Sequence, residues 1–239
     1  MQRNKPIIAL DLDSLESLES FISQFAGQSL NLKIGMEMYY ANGPQLVQNL
    51  KAAGHQIFLD LKLHDIPNTV YRSLYALTLL GVDMLNVHAM GGLEMMRRAK
   101  DAIEAAQPDP SRRPLLIAVT QLTSTNESQI QDEQLTQATL NESVLHYAQL
   151  AQAAGLDGVV CSPLESQLIK DQLGPDFITV TPGIRPQHYQ TPQDDQVRIT
   201  TPAQARRLGS DYIVVGRPIT QAEDAFVAYE QVLTDWQAE

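Results

Sequence analysis

The sequence predicts an α/β fold, a closed (β/α)8 TIM barrel that takes residues 1–239 as one domain. Three observations carry this. Eight short, β-branched apolar runs recur along the chain, each followed by a polar turn and a helical pattern. Such alternation implies parallel strands joined by right-handed crossovers. The length of 239 residues also suits eight such units, since barrels of about 250 residues form single domains. A doubly wound open sheet is the competing arrangement, but no Gly-rich dinucleotide fingerprint follows the first strand.

The first strand is expected at 6–13 (PIIALDLD) and the second at 32–38 (LKIGMEM). Between them Leu15, Leu18, Phe21, Ile22 and Phe25 keep a helical spacing. The third and fourth strands are expected at 56–64 (QIFLDLKLH) and 84–90 (MLNVHAM), the fifth and sixth at 114–123 (PLLIAVTQLT) and 158–163 (GVVCSP). Val144, Leu145, Ala148, Leu150 and Ala151 mark the helix before the sixth. The seventh and eighth follow at 177–184 (FITVTPGI) and 212–219 (YIVVGRPI). Gly54, Gly81 and Gly155 stand where helices end and suit left-handed caps. Met36, Met38, Met95, Met96 and the lone Cys161 read as packing residues, and His88 as a core histidine. Two polar stretches, 124–142 and 185–200, are too long for simple turns. Both follow strand C-termini, where barrels place their chemistry, and such loops often act as lids.

Seventeen Lys and Arg against 28 Asp and Glu give a formal net charge of −11. Such a surface repels nucleic acid and anionic membranes. No apolar run approaches the length of a membrane span. The start runs directly into a strand and leaves no room for a signal peptide. One cysteine excludes an internal disulfide. A cytoplasmic protein is the expectation. An anionic metabolite would need Arg and Lys gathered in one pocket.

The most informative stretch is Asp60-Leu61-Lys62-Leu63-His64-Asp65. Alternate side chains of a strand share a face, so Asp60, Lys62 and His64 should point one way, into the barrel, and the leucines the other. The bland alternative is a solvated ion pair at a strand end. Flanking carboxylates favour a charged ammonium, whereas a Schiff-base lysine needs a free amine. Lys62 therefore reads as a cation and proton donor, suited to a reaction that develops a carbanion and quenches it. A second signal lies at the last strand, where Gly216 and Arg217 could hold a phosphate. Strand seven ends in Thr181-Pro182-Gly183-Ile184-Arg185, with Gln196 and Arg198 beyond it. Loops after strands seven and eight are a frequent phosphate site in barrels.

Together these residues resemble the orotidine 5′-phosphate decarboxylases over essentially the whole chain. Matching segments are ALDLD at 9–13, LKIG at 32–35, FLDLKLHDIPNT at 58–69, LTS at 122–124, TPGIR at 181–185, DDQVRITTP at 194–202 and VVGRPIT at 214–220. The resemblance implies decarboxylation of orotidine 5′-phosphate to UMP without a cofactor or metal, by a homodimer. It implies that Asp11 and Lys33 meet the ribose hydroxyls, and that Lys33 is linked to Asp60. Asp60, Lys62 and Asp65 would form the charged array, Asp65 arriving from the partner subunit, with Thr69 at the ribose. Thr123 and Ser124 would meet the pyrimidine. Arg185 and Gln196 would sit in the closing loop, Pro182 would contact the substrate, and Gly216 and Arg217 would hold the phosphate.

Two other readings compete. Related barrels acting on sugar phosphates, such as 3-keto-gulonate-phosphate decarboxylases and hexulose-phosphate synthases, use Mg2+. They carry a metal-binding acid where this chain has Lys33, and a lysine there repels the ion. A non-catalytic nucleotide-phosphate binding protein would keep Gly216 and Arg217. It would have no use for three buried charges.

Overall fold

Eight parallel strands close into a barrel in chain order in the computed structural model, which describes residues 1–187, 189 and 199–238. They are β1 (Ile7–Ala9), β2 (Asn31–Gly35), β3 (Gln56–Leu63), β4 (Met84–His88), β5 (Leu115–Val119), β6 (Gly158–Val160), β7 (Ile178–Thr181) and β8 (Tyr212–Val215). The pairs Ile7↔Val214 and Ile8↔Val215 seal the ring. Every strand falls where it is expected, and each is shorter at its C-terminal end. The apolar pattern runs on into the next helix: Pro163 opens the helix after β6, and Pro218 stands second in the one after β8. Proline at the first helical turn is favourable, so composition there does not mark the strand end.

Alternation along the strands divides the apolar residues into two layers. Ile8, Leu32, Ile34, Ile57, Leu59, Leu85, Leu116, Val159 and Ile213 face outward and pack beneath the helices. Ile7, Phe58, Met84, Ile117, Ile178, Val180, Tyr212 and Val214 fill the barrel. Gly158 belongs to that inner layer, because a Cβ there would collide with the backbone of Ile178. The plug occupies the N-terminal part of the barrel. On the same inward register, toward the strand C-termini, stand Lys33, Asp60 and Asn86.

Around the barrel run α1 (Leu15–Ser23), α2 (Met36–Ala52), α3 (Pro67–Thr78), α4 (Gly92–Ala106), α5 (Glu127–Asp132), α6 (Leu140–Ala153), α7 (Pro163–Leu173), α8 (Pro202–Arg207), α9 (Arg217–Thr220) and α10 (Ala225–Gln237). The apolar stripes face the core as expected, except that Leu15 and Met36, at the first turns of α1 and α2, are exposed. Gly54, Gly81 and Gly155 follow α2, α3 and α6 with φ of +89°, +73° and +80°, as left-handed caps require. α2 is broken at Gly43, with φ 68° and ψ −166°, and Pro44 restarts it. The polar stretch 124–142 is not an open lid. Asn126 and Thr139 set capping boxes for α5 and α6, and Ile130 is fully buried. Gln121 and Gln134 exchange amide hydrogen bonds of 3.0 and 3.2 Å, which ties the excursion to the barrel.

Aspartates brace the opposite, N-terminal face. Asp83, Asp157 and Asp211 each precede a strand and accept an N–H from the strand before it: Ile57 at 2.7 Å, Leu116 at 2.7 Å and Thr179 at 2.8 Å. Lys51 and Lys170 neutralise Asp83 and Asp211. Among the described residues no helix is long and apolar enough to cross a membrane.

Candidate active site at the barrel mouth

The charged residues predicted from the third strand meet in one cluster. Lys62 Nζ donates to Asp60 Oδ1 at 2.7 Å. Lys33 Nζ lies 3.5 Å from Asp60 Oδ2 and 3.3 Å from Asp11 Oδ1. One buried carboxylate thus sits between two ammonium groups, with Asp11 at the solvent edge, its side chain 62% exposed. Burial pushes the Asp60 carboxyl up, but Lys33, Lys62 and the hydrogen bonds from Lys62 and Asn86 outweigh it and hold the group below its ordinary value. Asp60 is therefore ionised, and Lys62 is the cation at its side. The cluster is no solvated surface pair.

Local backbone departs from the plain strand expected here. Lys62 has φ +49°, and the β3–β4 register slips between Leu59 and Leu63. His64 follows the slip. It is exposed and stacks on His88, with ring centroids 5.7 Å apart. Burial, aided by the charges of His64 and Lys62, lowers the pKa of His88. The Lys62 backbone N–H leaves the ladder and donates to Asn86 Oδ1 at 2.8 Å. Asn86 Nδ2 donates in turn to Asp60 Oδ1 at 2.7 Å. Sequence reasoning missed Asn86. Its signal is a polar residue on the inward register of MLNVH, between Met84 and His88.

Gly35 and Gly216 hold the other walls close. A Cβ on Gly35 would stand 3.3 Å from Asp11 Oδ1 and 3.4 Å from Lys33 Nζ, and one on Gly216 would meet Ala9 at 3.4 Å and Asp11 Oδ2 at 3.9 Å. The end of β8 therefore borders the charged cluster. Gly216 precedes the short helix α9, and Arg217, its first residue, is half-buried. Thr123 is buried at the end of the β5 segment, while the adjacent Ser124 is exposed. Pro182 is half-buried after β7. Arg185 is 9% exposed, donates through Nη1 to the Ile184 carbonyl at 2.9 Å and stands over the Tyr189 ring at 5.7 Å. Its N–H donates to the Thr200 carbonyl at 2.8 Å, which closes the base of that loop. Gln196 and Arg198 lie outside the described residues.

Two expected members stand apart within the single chain. Asp65 and Thr69 are exposed, and the Asp65 carboxylate accepts from the N–H of Ile66 at 2.7 Å. Among the described residues Asp65 forms no ion pair with Lys62.

Comparison with known proteins agrees with this geometry. Residues 4–232 match the orotidine 5′-phosphate decarboxylase / HUMPS family. The chain is 55% identical to the orotidine 5′-phosphate decarboxylase of Listeria monocytogenes over 235 residues, spanning 98% of this chain and 100% of that one. It is 53% identical to the enzyme of that name from Staphylococcus saprophyticus over 234 residues, 98% of this chain and 99% of the other. The crystal structure of orotidine 5′-phosphate decarboxylase from Lactobacillus acidophilus superposes with a TM-score of 0.87 at 42% identity, covering 98% of this chain and 99% of that chain. Fold, charged cluster and full-length similarity agree: the chain belongs to the orotidine 5′-phosphate decarboxylase / HUMPS family.

Proposed function

We propose that the protein decarboxylates orotidine 5′-phosphate to UMP and CO2, a step of pyrimidine biosynthesis. The observation that carries the reading is the Lys33–Asp60–Lys62 cluster at the barrel mouth. Loss of CO2 from C6 breaks the C6–carboxyl bond and leaves its electron pair in the plane of the ring, where the ring π system cannot spread it. A fixed cation aimed at that carbon stabilises the developing charge without reorganising. Lys62 supplies that cation and then gives its proton to C6, and solvent restores it. Asp60, held ionised between two ammonium groups, accepts from Lys62 Nζ and fixes its position before the reaction. Its own charge also faces the substrate carboxylate. Two like charges about 4 Å apart interact by roughly 4 kcal/mol at an effective dielectric near 20.

The remaining roles are those that the family resemblance implies. Asp11 and Lys33 bind the ribose hydroxyls, and Thr123 and Ser124 the pyrimidine. Gly216 and Arg217 hold the phosphate, Arg185 and Gln196 close over it, and Pro182 contacts the substrate. Binding energy from the phosphate, remote from C6, helps to place the reacting carbon. The working unit is a homodimer in which Asp65 and Thr69 of each subunit complete the other's site. Their exposure in the single chain supports this, as does the exposed Ile66 in the same turn. Lys33 beside Asp60 disfavours the Mg2+-dependent sugar-phosphate reading, because an ammonium group stands where a cation would bind. The lone cysteine, Cys161, is a buried core residue, in keeping with a cytoplasmic enzyme.

The test follows the absorbance of orotidine 5′-phosphate with EDTA-treated wild type and with Lys62→Ala. Wild type is expected to convert it to UMP, and the variant to lose at least about 10³-fold in kcat. A folded wild type without turnover overturns the reading. So does a variant of near-normal rate.

A further inference from the structure

Lys62 is held in a conformation that its own chemistry does not favour. Positive φ crowds any residue bearing a Cβ, and such a backbone persists only where its surroundings over-determine it. Here one side chain meets that backbone directly. The strand register slips beside Lys62, its N–H has left the ladder, and Asn86 Oδ1 accepts that N–H at 2.8 Å. The same amide donates through Nδ2 to Asp60 Oδ1 at 2.7 Å. That is the oxygen on which Lys62 Nζ also rests, at 2.7 Å. Asn86 is 1% exposed, anchored in the middle of β4 between the apolar plug and the mouth.

An acceptor and a donor are both needed at this position, on opposite sides of one small planar group. Aspartate would supply only acceptors and leucine neither. The partners also fix which atom is oxygen, since an N–H must meet oxygen and a carboxylate must meet NH2. We propose that Asn86 is a positioning residue whose single amide sets both the left-handed backbone of Lys62 and the carboxylate of Asp60, and so fixes where the Lys62 ammonium points. Resting on the decarboxylase reading above, this has a chemical consequence. When Lys62 gives its proton to carbon, Asp60 loses one of its two charged partners but keeps Lys33 on Oδ2 and the hydrogen bond from Asn86 on Oδ1. The carboxylate then stays in place instead of swinging toward solvent, and the lysine is reprotonated in register. Asn86 touches no reacting atom and acts through the two residues that it joins.

The experiment compares wild type, Asn86→Ala and Asn86→Asp in turnover of orotidine 5′-phosphate, affinity for UMP, pH profile and crystal structure. UMP affinity is expected within about threefold of wild type, with kcat lower by about 10²-fold in Asn86→Ala and by more in Asn86→Asp. The acid limb of kcat/KM should move to higher pH in Asn86→Asp, because a second carboxylate beside Asp60 disfavours ionisation. In the crystal of Asn86→Ala, Lys62 should leave positive φ, and in that of Asn86→Asp the Asp60 carboxylate should turn from Nζ. If the alanine variant does not fold, the near-isosteric Asn86→Asp decides alone. A folded variant whose kcat stays within about threefold of wild type overturns the proposal. Unmoved Lys62 and Asp60, or a fall in UMP affinity as large as that in kcat, overturns it too. An inactive wild type would remove the decarboxylase reading, and the variant crystal structures would then decide the role of Asn86 by themselves.

Discussion

At the scale of single residues, the charges of the site were legible because Asp60 and Lys62 stand two residues apart in a strand pattern, and their 2.7 Å contact persists despite the register slip around Lys62. Lys33 came from the resemblance, and its 3.5 Å approach to Asp60 is a fact of register: Gly35 pairs with Asp60, two residues on. The left-handed Lys62 and its dependence on Asn86 were not legible. Alternation assumes a uniform strand, and the slip is decided by a partner 24 residues away. Another buried side chain carries a consequence for stability. His55 Nδ1 accepts the N–H of Leu30 at 3.3 Å, which requires a neutral ring, and burial lowers its pKa from 6.5. His88 is shifted in the same direction. A histidine harder to protonate when folded gives the unfolded chain more bound protons, so stability rises with pH across that window. Its contribution is present above the unfolded value near 6.5 and is lost as pH falls from there through the lower folded value. Urea unfolding at pH 7.5 and 5.5 is expected to show lower stability at the acid value, and His55→Gln should shrink the difference. An equal difference in the variant would remove His55 from the account.

At the scale of elements, the barrel was legible because its rhythm depends on composition alone, and the eight strands sit where β-branched runs meet capped helices. The ends were less legible. GRPI reads as strand yet opens α9, and 124–142 reads as loop yet holds α5, fastened by the Gln121–Gln134 pair. Neither the pairing of two glutamines thirteen residues apart nor the burial of Ile130 follows from local pattern. The strand entrances behave more simply. Asp157 repeats what Asp83 and Asp211 do, but no lysine neutralises it among the described residues, so its hydrogen bond can be tested without breaking an ion pair. Asp157→Ala leaves the Leu116 N–H without its acceptor beneath a fully buried strand. The expected loss is about 1–3 kcal/mol in urea unfolding, with KM unchanged because the residue lies on the face opposite the mouth. Wild-type stability in the variant would show that water takes over the N–H.

At the scale of the whole molecule, the single chain leaves its site open where Asp65 and Thr69 turn outward. Within that turn Ile66 is 66% exposed, and Tyr40 of α2 and Leu79 at the far end of α3 are exposed as well. A large apolar side chain exposed in that turn favours association, and two-fold pairing is the common closed solution. The net charge of −11 opposes association of two copies at long range, so a contact between them would need an apolar centre. If Asp65 serves the partner's Lys62, two inactive variants must rescue one another. Lys62→Ala and Asp65→Ala chains, mixed and allowed to exchange, form heterodimers in which one site lacks both groups and the other has both. Random exchange of equal amounts should therefore restore about a quarter of wild-type activity. Had Asp65 acted within its own chain, every site in the mixture would lack one group, and no activity would return. Ile66→Glu supplies the complementary test, since a charge at the centre of the contact should yield monomers with low activity at dilution and recovery at high concentration. A fully active monomer would show instead that one chain holds everything the reaction needs.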